Sequence, residues 1–296
     1  MSLRVGILMG GPSEEREVSV STGKAVLAAC LQMGYLVEEF TFRNDYKKYL
    51  KQMHDQDIVF NALHGGIGEN GKIQAWMDNN RIKYTGSSAM ASSLCMDKVN
   101  SKDLAKKNGI DTPEWQLLLD SNDEIKLKTP FVVKPNDQGS TVGLSVVYNQ
   151  EKINSAVKKA FQYGSEVIIE KYINGRELTV PVIGSRAYPI VEINPLHDLY
   201  DYECKYTPGM SEYDCPARLN KNLVKKIKQI TIMLFKIFGC SVYGRADFML
   251  DKSGTPFFLE MNTLPGMTST SLVPKSANAE GLSFNQLIEK IIKLSL

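Results

Sequence analysis

The sequence has few cysteines and no long apolar run, and these two absences exclude several classes of protein. Its 296 residues include five cysteines, with no CxxC pair and no cysteine or histidine at the spacing of zinc ligands. An odd, scattered set of this kind argues against a disulfide framework and is typical of a reduced cytosolic compartment. No apolar run approaches the ~20 residues that a membrane-spanning helix needs. The first residues predict a strand rather than a signal peptide.

A strong charge of either sign is also absent. The formal net charge is +2 and charged residues make up 23% of the chain, so neither nucleic acid nor an anionic membrane is expected as a partner. There is no internal repeat and no low-complexity segment. The hydrophobic content of 43% is that of an ordinary globular protein, and the length favours two or three domains.

The first 90 residues alternate between short apolar runs and helical patterns. The predicted strands are 3–9, 35–42, 58–63 and 84–86. One predicted helix begins after residue 13 and stops at Gly34, and a second covers 71–80. Strands that alternate with helices indicate a parallel sheet, and ligands of such sheets gather beyond the carboxyl ends of the strands. Those ends carry Gly10, Glu14, Glu15 and His64.

The segment GIGENG (66–71) matches the GxGxxG fingerprint of dinucleotide-binding folds. That fingerprint follows the first strand of its fold and is accompanied by an acidic residue about 20 positions later. Here the motif follows the third predicted strand, and the segment SSAMASSL (87–94) contains no acidic residue. A nicotinamide cofactor is therefore not expected.

After residue 96 the pattern changes to a lysine-rich helix (97–109) followed mainly by strands. The strands are predicted at 115–118, 131–134, 143–147 and 166–172, with a helix at 150–161. Between two of them, the loop PNDQGSTVG (135–143) follows Lys134. The backbone N–H groups of such a loop, together with a lysine, can bind phosphate. A plain hairpin loop is the alternative, since no Walker A motif occurs in the chain.

Residues 177–183 and 188–193 predict a hairpin, 221–238 an amphipathic helix and 284–294 a closing helix. Between the hairpin and the amphipathic helix, 194–218 has little periodicity and is expected to be a long structureless loop. Loops of this length inside a compact enzyme are usually functional or disordered. The aromatic content of this one argues against disorder.

Two further strands are predicted within GRADFMLDKSGTPFFLEMNTLPGMTSTS (244–271), joined by a turn at 251–254. Alternation puts Glu260 and Asn262 on one face, and strand pairing can bring Asp247 beside them, with Arg245 on the same face. Three oxygen donors suit Mg²⁺, and an adjacent arginine suits a phosphate oxyanion. Carboxylates embedded in apolar strands need a partner, which a metal can supply. A solvated hairpin with ordinary surface charge is the alternative.

Nine short motifs follow one another along the chain. They are GGPSEEREVS (10–19), ALHG (62–65), YTGS (84–87), MDK (96–98), VKP (133–135), GSTVG (139–143), YECKY (202–206), GRAD (244–247) and EMNTLPGMT (260–268). In this order they resemble the motifs of the D-alanine–D-alanine ligases of the ATP-grasp superfamily. The resemblance covers essentially the whole length.

The resemblance implies an α/β fold with α+β elements, namely a three-domain ATP-grasp fold with an N-terminal parallel-sheet domain. We expect an N-terminal substrate domain at 1–95 and a central ATP-grasp domain at 96–177. A C-terminal ATP-grasp and metal-binding domain is expected at 178–296, with a mobile loop at 194–218. ATP would lie between the central and C-terminal domains.

The resemblance also implies a reaction, the ATP-dependent ligation of two D-alanines through a D-alanyl phosphate for peptidoglycan precursor synthesis. A ligase for D-lactate or another D-amino acid is one alternative. A non-catalytic nucleotide-binding protein of the same fold is another. Relatives that use D-lactate tend to lack the tyrosine of the long loop, so the presence of Tyr206 favours an amine as the second substrate.

The motifs of the family assign roles to residues of this sequence. The expected catalytic residues are Glu15, Ser140, Tyr206, Arg245 and Gly266, and the expected substrate-binding residues are His64, Ser271 and Leu272. The expected ATP-binding residues are Lys98, Lys134, Glu170, Lys171, Tyr172, Ile173, Glu177, Lys205, Met249 and Leu259. The expected ligands of two Mg²⁺ or Mn²⁺ ions are Asp247, Glu260 and Asn262.

Some expectations concern partners and local departures from the family. D-alanine and ATP are the expected ligands, with neither nucleic acid nor membrane, in a homodimer of the bacterial cytoplasm. Tyr172 stands where an indole is common, and the loop at 65–71 differs from forms with arginine after the first glycine. A plain loop histidine is the alternative at His64.

Overall fold

The computed structural model describes residues 2–196, 207 and 209–296. The predictions made for Lys205 and Tyr206, and for the whole YECKY motif (202–206) that contains them, lie outside the described residues. Among the described residues, no helix is both long enough and apolar enough to cross a membrane.

Strands and helices follow one another along the described chain much as the sequence predicts. The strands are β1 (Arg4–Gly10), β2 (Leu36–Phe42), β3 (Ile58–Asn61), β4 (Trp115–Leu118), β5 (Phe131–Pro135), β6 (Ser145–Val147), β7 (Val167–Lys171), β8 (Gly175–Ile183), β9 (Arg186–Ala187), β10 (Val191–Pro195), β11 (Ser211–Asp214), β12 (Tyr243–Asp251) and β13 (Pro256–Asn262). The α-helices are α1 (Arg16–Gln32), α2 (Leu50–His54), α3 (Lys72–Asn79), α4 (Ala89–Met96), α5 (Lys98–Lys107), α6 (Ile153–Phe161), α7 (Lys221–Ile237), α8 (Leu272–Ala279) and α9 (Phe284–Ser295).

The strands form three sheets. The first is parallel, in the order β2-β1-β3, which confirms the predicted N-terminal α/β layer. The second has the order β4-β7-β5-β6, and its pairs are antiparallel. The third has the order β11-β10-β8-β12-β13, with β9 paired to β8. The domain boundaries at 95/96 and 177/178 stay a prediction.

Strand β1 is the buried centre of the first sheet. Val5, Ile7, Leu8 and Met9 are fully buried, as expected for a parallel strand covered on both faces. At its carboxyl end, Gly10 has φ +95°, and a Cβ there would lie 2.3 Å from the carbonyl oxygen of Phe42. Only glycine fits this turn, which leads the chain directly to the start of α1.

Two sequence predictions are corrected by the structure. Residues 84–86 do not form a strand, because a single bridge joins Tyr84 to Val59 and the chain then turns at Gly86, with φ +100°. Beyond that turn, Ser88 caps helix α4 by accepting a hydrogen bond from the backbone N–H of Ala91 at 3.3 Å. The segment 194–218 is not structureless throughout, since β11 lies within it.

Helices α4 and α5 pack against strand β13, and so place the MDK motif beside the third sheet. Asp97 caps α5 by accepting a hydrogen bond from the backbone N–H of Asn100 at 3.0 Å. Ser87, which precedes α4, is joined to Ser241, which precedes β12. The backbone N–H of Ser241 donates to Oγ of Ser87 at 3.1 Å. The first turn of α5 therefore lies beside the third sheet.

Candidate active site

The hairpin of β12 and β13 carries the residues predicted to bind metal. In its register Arg245 lies opposite Asn262, and Asp247 lies opposite Glu260. Paired residues of antiparallel strands share a face, as do residues two apart on one strand. All four side chains therefore project from one face of the hairpin, as the alternation in the sequence predicts.

Asp247 is held by charged and neutral donors on that face. Arg245 donates from Nε to Oδ1 at 2.9 Å and from Nη2 to Oδ2 at 2.7 Å. The hydroxyl of Thr179, on the neighbouring strand β8, donates to Oδ1 at 2.5 Å. Asp247 is buried, so these donors replace the water that its carboxylate loses on folding. The bidentate arginine fixes the orientation of the carboxylate plane.

Lys98 links the MDK motif to the same hairpin. Its ammonium is buried, donates to the carbonyl oxygen of Gln138 at 2.5 Å, and lies 3.5 Å from Oε2 of Glu260. The cation therefore lies between the glycine-rich loop at 135–143 and the face of the hairpin that is predicted to bind metal.

Glu170 lies at the centre of a buried cluster of charges. Its Oε1 is 3.0 Å from Nζ of Lys102, and its Oε2 is 2.9 Å from Nζ of Lys134. Burial would raise the pKa of Glu170, but the two ammonium groups outweigh burial and hold the pKa below its ordinary value. Burial lowers the pKa of Lys102 to about 8, although the carboxylate of Glu170 opposes that shift. Glu170 is therefore a carboxylate and Lys102 mainly an ammonium at neutral pH.

Glu15 and Ser140 meet although they lie on distant parts of the chain. Ser140 donates its hydroxyl proton to Oε1 of Glu15, which is buried. Ser140 and Thr141 both have positive φ, at 48° and 65°, which bends the glycine-rich loop toward the start of α1. On the other side, a Cβ on Gly65 would lie 2.7 Å from Oε2 of Glu15, so a side chain there would displace the carboxylate.

His64 is also buried, near Glu15. Its Nε2 is 3.0 Å from Oγ1 of Thr22, and its Nδ1 is 3.6 Å from Oε1 of Glu69. The hydroxyl of Ser13 donates to the backbone carbonyl of His64 at 2.6 Å. The imidazole thus lies between a hydroxyl and a carboxylate.

Ser271 and Leu272 begin helix α8 beside Gly266. Ser271 is the residue before the first helical turn, and its Oγ accepts a hydrogen bond from the backbone N–H of Thr268 at 3.1 Å. A Cβ on Gly266 would lie 2.9 Å from Oγ of Ser271, so glycine permits this close approach. The exposed N–H groups of a helix start can bind a carboxylate.

These groups line two adjoining cavities, of about 400 Å³ and about 150 Å³. Both cavities are bordered by Lys98, Ser140, Arg245 and Glu260. The predicted residues on the larger cavity alone are Glu15, His64, Asn262, Gly266, Ser271 and Leu272. Those on the smaller cavity alone are Lys134, Glu170, Lys171, Tyr172, Ile173, Glu177, Asp247, Met249 and Leu259. Every predicted site residue in the described part of the chain therefore borders one cavity or both.

A family model described as the D-ala D-ala ligase C-terminus matches residues 104–293. The chain belongs to the D-alanine–D-alanine ligase family. The D-alanine–D-alanine ligase of Methylacidiphilum infernorum is 42% identical to this chain over 291 residues, which cover 98% of this chain and 95% of that protein. The match confirms the family predicted from the nine motifs.

Solved structures of this ligase family share the fold. The D-alanine–D-alanine ligase of Bacillus anthracis complexed with ATP superposes with a TM-score of 0.88 at 34% identity, over 99% of this chain and 97% of that one. The VanG D-Ala:D-Ser ligase of Enterococcus faecalis superposes with a TM-score of 0.86 at 28% identity, over the full length of both chains. These similarities confirm the predicted ATP-grasp ligase fold.

Several residues of this ligase site were not predicted from the sequence. Lys102 lies four residues after Lys98 on helix α5, a spacing that puts both on one face. Thr179 lies two residues after Glu177 on β8 and opposite Asp247 on β12. Both signals are present in the sequence, but each needs the position of a distant partner before it has meaning.

Proposed function

We propose that this chain joins two D-alanines to D-alanyl-D-alanine at the expense of ATP. The two adjoining cavities carry this proposal. The smaller is bordered by buried lysines and apolar residues that suit a nucleotide, and the larger by a carboxylate and a helix start that suit amino-acid substrates. Lys98 and Arg245 border both cavities, where a phosphoryl group would pass from one ligand to the other.

In the smaller cavity, Lys98 and Lys134 supply positive charge to the phosphates of ATP. Lys205 is proposed to bind the phosphates as well, because its motif resembles that of the family. Phosphoryl transfer depends mainly on positioning and on neutralising charge, which buried lysines provide. Glu177 binds the ribose, and 171–173 face the adenine edge. Met249 and Leu259 pack against the base.

The residues on the hairpin fit divalent cations by their chemistry. Asp247 and Glu260 offer carboxylate oxygens and Asn262 an amide oxygen, and such oxygen donors are the ligands that Mg²⁺ and Mn²⁺ prefer. Among the described residues no three of His, Cys, Asp and Glu form a metal-binding group. In this proposal the amide of Asn262 supplies the third donor. Two bound divalent ions would neutralise the phosphate oxygens of ATP. Thr179 and Arg245 orient the carboxylate of Asp247 before a cation arrives.

In the larger cavity, the carboxylate of Glu15 binds the ammonium of the first D-alanine, with Ser140 and His64 fixing its surroundings. A carboxylate oxygen of that D-alanine attacks the γ-phosphorus, so that a C–O–P linkage forms and ADP leaves. The start of helix α8, at Ser271 and Leu272, binds the carboxylate of the second D-alanine. Both substrates are then held by their charged groups.

The second step joins the amine of the second D-alanine to the acyl carbon. Attack of the amine on that carbon forms the C–N bond and a tetrahedral intermediate. The collapse of the intermediate breaks the C–O bond, and inorganic phosphate leaves with the bonding electrons and takes up the proton that the nitrogen loses. Arg245 and the backbone N–H of Gly266 donate to the oxyanion of that intermediate. Tyr206, with Ser140 and Glu15, closes the site, because an acylphosphate open to water would hydrolyse.

The alternative is a ligase of the same kind that joins D-alanine to a different second substrate. The similarity to a D-Ala:D-Ser ligase shows that this fold accommodates other acceptors. Tyr206 favours an amine over D-lactate in this chain.

The proposal is tested by release of ADP and phosphate with ATP, Mg²⁺ and D-alanine, against L-alanine and a control without amino acid. We expect release that requires D-alanine, with the dipeptide identified by mass spectrometry. The same assay with mixed acceptors compares D-alanine, D-serine and D-lactate. A larger yield of mixed dipeptide or ester near neutral pH would contradict the choice of D-alanine as acceptor.

The proposal extends to the setting of the reaction. A dipeptide product enters peptidoglycan precursors, and the use of ATP suits the cytoplasm. A homodimer is proposed from the family resemblance, and sedimentation velocity of the purified chain tests it. A single species at the monomer mass would contradict the dimer.

A further inference from the structure

The buried charge cluster around Glu170 contains one more cation than anion. Lys102 and Lys134 each contact one oxygen of this single carboxylate, at 3.0 Å and 2.9 Å. In a site with restricted access to water, a net charge interacts strongly with any ligand that enters. The cluster therefore favours an anionic ligand. The position of the excess positive charge determines which part of the ligand it attracts.

The two lysines differ in their access to the nucleotide cavity. Lys134 borders the cavity and its side chain is 11% exposed, whereas the side chain of Lys102 has no exposed surface. Lys102 lies behind Glu170 and also contacts Oγ1 of Thr112 at 3.0 Å and the carbonyl oxygen of Phe258 at 3.4 Å. Lys102 is thus enclosed by protein, and Lys134 is the member of the pair that a ligand can reach.

Glu170 would neutralise Lys134 if it had no other cation beside it. A carboxylate paired with one ammonium forms a closed neutral pair, and the phosphate of a ligand would then meet little net charge. With Lys102 on its other oxygen, Glu170 is already balanced. The charge of Lys134 then remains effective toward the cavity.

We propose that Lys102 is a positioning residue, the internal counterion of Glu170, which keeps the charge of Lys134 available to the phosphates of the nucleotide. This inference rests on the proposed function, since it takes the smaller cavity to be the nucleotide site. It assigns to Lys102 an effect on phosphates that it does not touch. A purely structural Lys102 would change stability and leave the preference for phosphates unaltered.

The test compares the affinities of ADP and adenosine by isothermal titration calorimetry at pH 7 and constant Mg²⁺. The Kd of adenosine divided by the Kd of ADP measures how much the phosphates add to binding. Effects of a substitution on the binding of the base cancel in this ratio. In Lys102→Met, a neutral side chain of similar length, we expect this ratio to fall about tenfold, the effect of one charge-assisted contact. In Lys102→Met/Glu170→Gln, where the carboxylate beside Lys134 is removed, we expect the ratio to recover.

Lys107→Met is the matched control, because Lys107 is an exposed lysine on the same helix. It removes one positive charge without approaching Glu170, so its ratio should equal that of the wild type. An unchanged ratio in Lys102→Met would overturn the inference, as would a fall that the double variant does not reverse. A fall of equal size in Lys107→Met would also overturn it.

Circular dichroism and thermal unfolding establish that each variant is folded. If Lys102→Met does not fold, Glu170→Gln alone decides the matter, because it also leaves Lys134 without an opposing carboxylate. We expect its ratio to be close to that of the wild type, because Lys102 already balances Glu170 there. A lower ratio, or one about tenfold higher, overturns the inference. A wild-type protein that binds no ADP would instead refute the proposed nucleotide site itself.

Discussion

Replacing Thr179 by valine should weaken both the folded protein and its use of Mg²⁺. Thr179 is fully buried and its hydroxyl donates to Oδ1 of Asp247 at 2.5 Å. Valine keeps the shape and removes the donor. A hydrogen bond to a charged group contributes about 1.5–3 kcal/mol. Because Arg245 still donates twice to Asp247, we expect a loss of about 1.5–2 kcal/mol in the free energy of unfolding, or roughly 2–3 °C in Tm for a chain of this length.

The effect on the cation follows from competition for Arg245. In the structure this arginine is engaged with Asp247, whereas in the proposed reaction it must donate to the substrate. When Arg245 turns to the substrate, the hydroxyl of Thr179 is left to orient the carboxylate. We therefore expect Thr179→Val to raise the Mg²⁺ concentration for half-maximal rate by about tenfold, since tenfold corresponds to about 1.4 kcal/mol.

The assay is ADP release against Mg²⁺ concentration at saturating ATP and D-alanine. Thr231→Val is the matched control, because Thr231 is equally buried and donates to the carbonyl oxygen of Ile227 within helix α7 at 2.9 Å. It should lose stability without any change in Mg²⁺ dependence. A Thr179→Val enzyme with the Mg²⁺ dependence of the wild type, or a Thr231→Val enzyme with the same shift, would refute the reasoning.

Four further outcomes are expected. Arg245→Ala should lower kcat by about 10²–10³-fold with ATP affinity nearly unchanged, because its donor acts on the oxyanion; equal losses in kinetics and ATP titration would contradict that role. Glu15→Gln should raise the KM for D-alanine roughly 10–100-fold by removing the partner of an ammonium, and initial-rate kinetics with an unchanged KM would oppose this. Burial raises the pKa of Cys30 to about 12, so its thiol should resist alkylation at pH 8.5 until the protein unfolds; mass spectrometry showing a labelled native Cys30 would count against it. Burial lowers the pKa of Lys102 from 10.5 to about 8, so the unfolded chain binds more protons between these values and stability gains from this residue as pH rises through that window. Denaturant unfolding of Lys102→Met should lack this gain, and an identical pH slope in both proteins would exclude Lys102 as its source.

The hairpin of β12 and β13 shows what a sequence can predict. Apolar alternation and the turn residues at 251–254 mark both strands and put Glu260 and Asn262 on one face, but they do not fix which residue of β13 lies opposite Asp247. The register itself depends on an irregularity between Asp247 and Phe248. The alternation of apolar and polar residues carries no signal for that irregularity, because a bulge adds one residue to a strand without changing its composition.

Other parts of the site were missed because their meaning is not local. The residues of α4, AMASSLCM, have too little contrast between apolar and polar faces to predict a helix, although Ser88 caps it. Strand β11 has the sequence SEYD and no apolar run, since it lies at the edge of its sheet. The role proposed for Lys102, on helix α5, depends on its contact with Glu170, which lies on strand β7 of the second sheet.

The closing helix α9 has a consequence for the order in which the chain can fold during synthesis. Val5 and Val26 share one buried cluster with Leu287 and Ile291, which lie on α9. The first 90 residues are complete long before that helix emerges from the ribosome. At about 5–20 residues per second, the roughly 200 intervening residues take about 10–40 seconds to synthesise. During that interval the apolar surface of α1 lacks its final cover, and the N-terminal layer completes its core only after the closing helix has been synthesised.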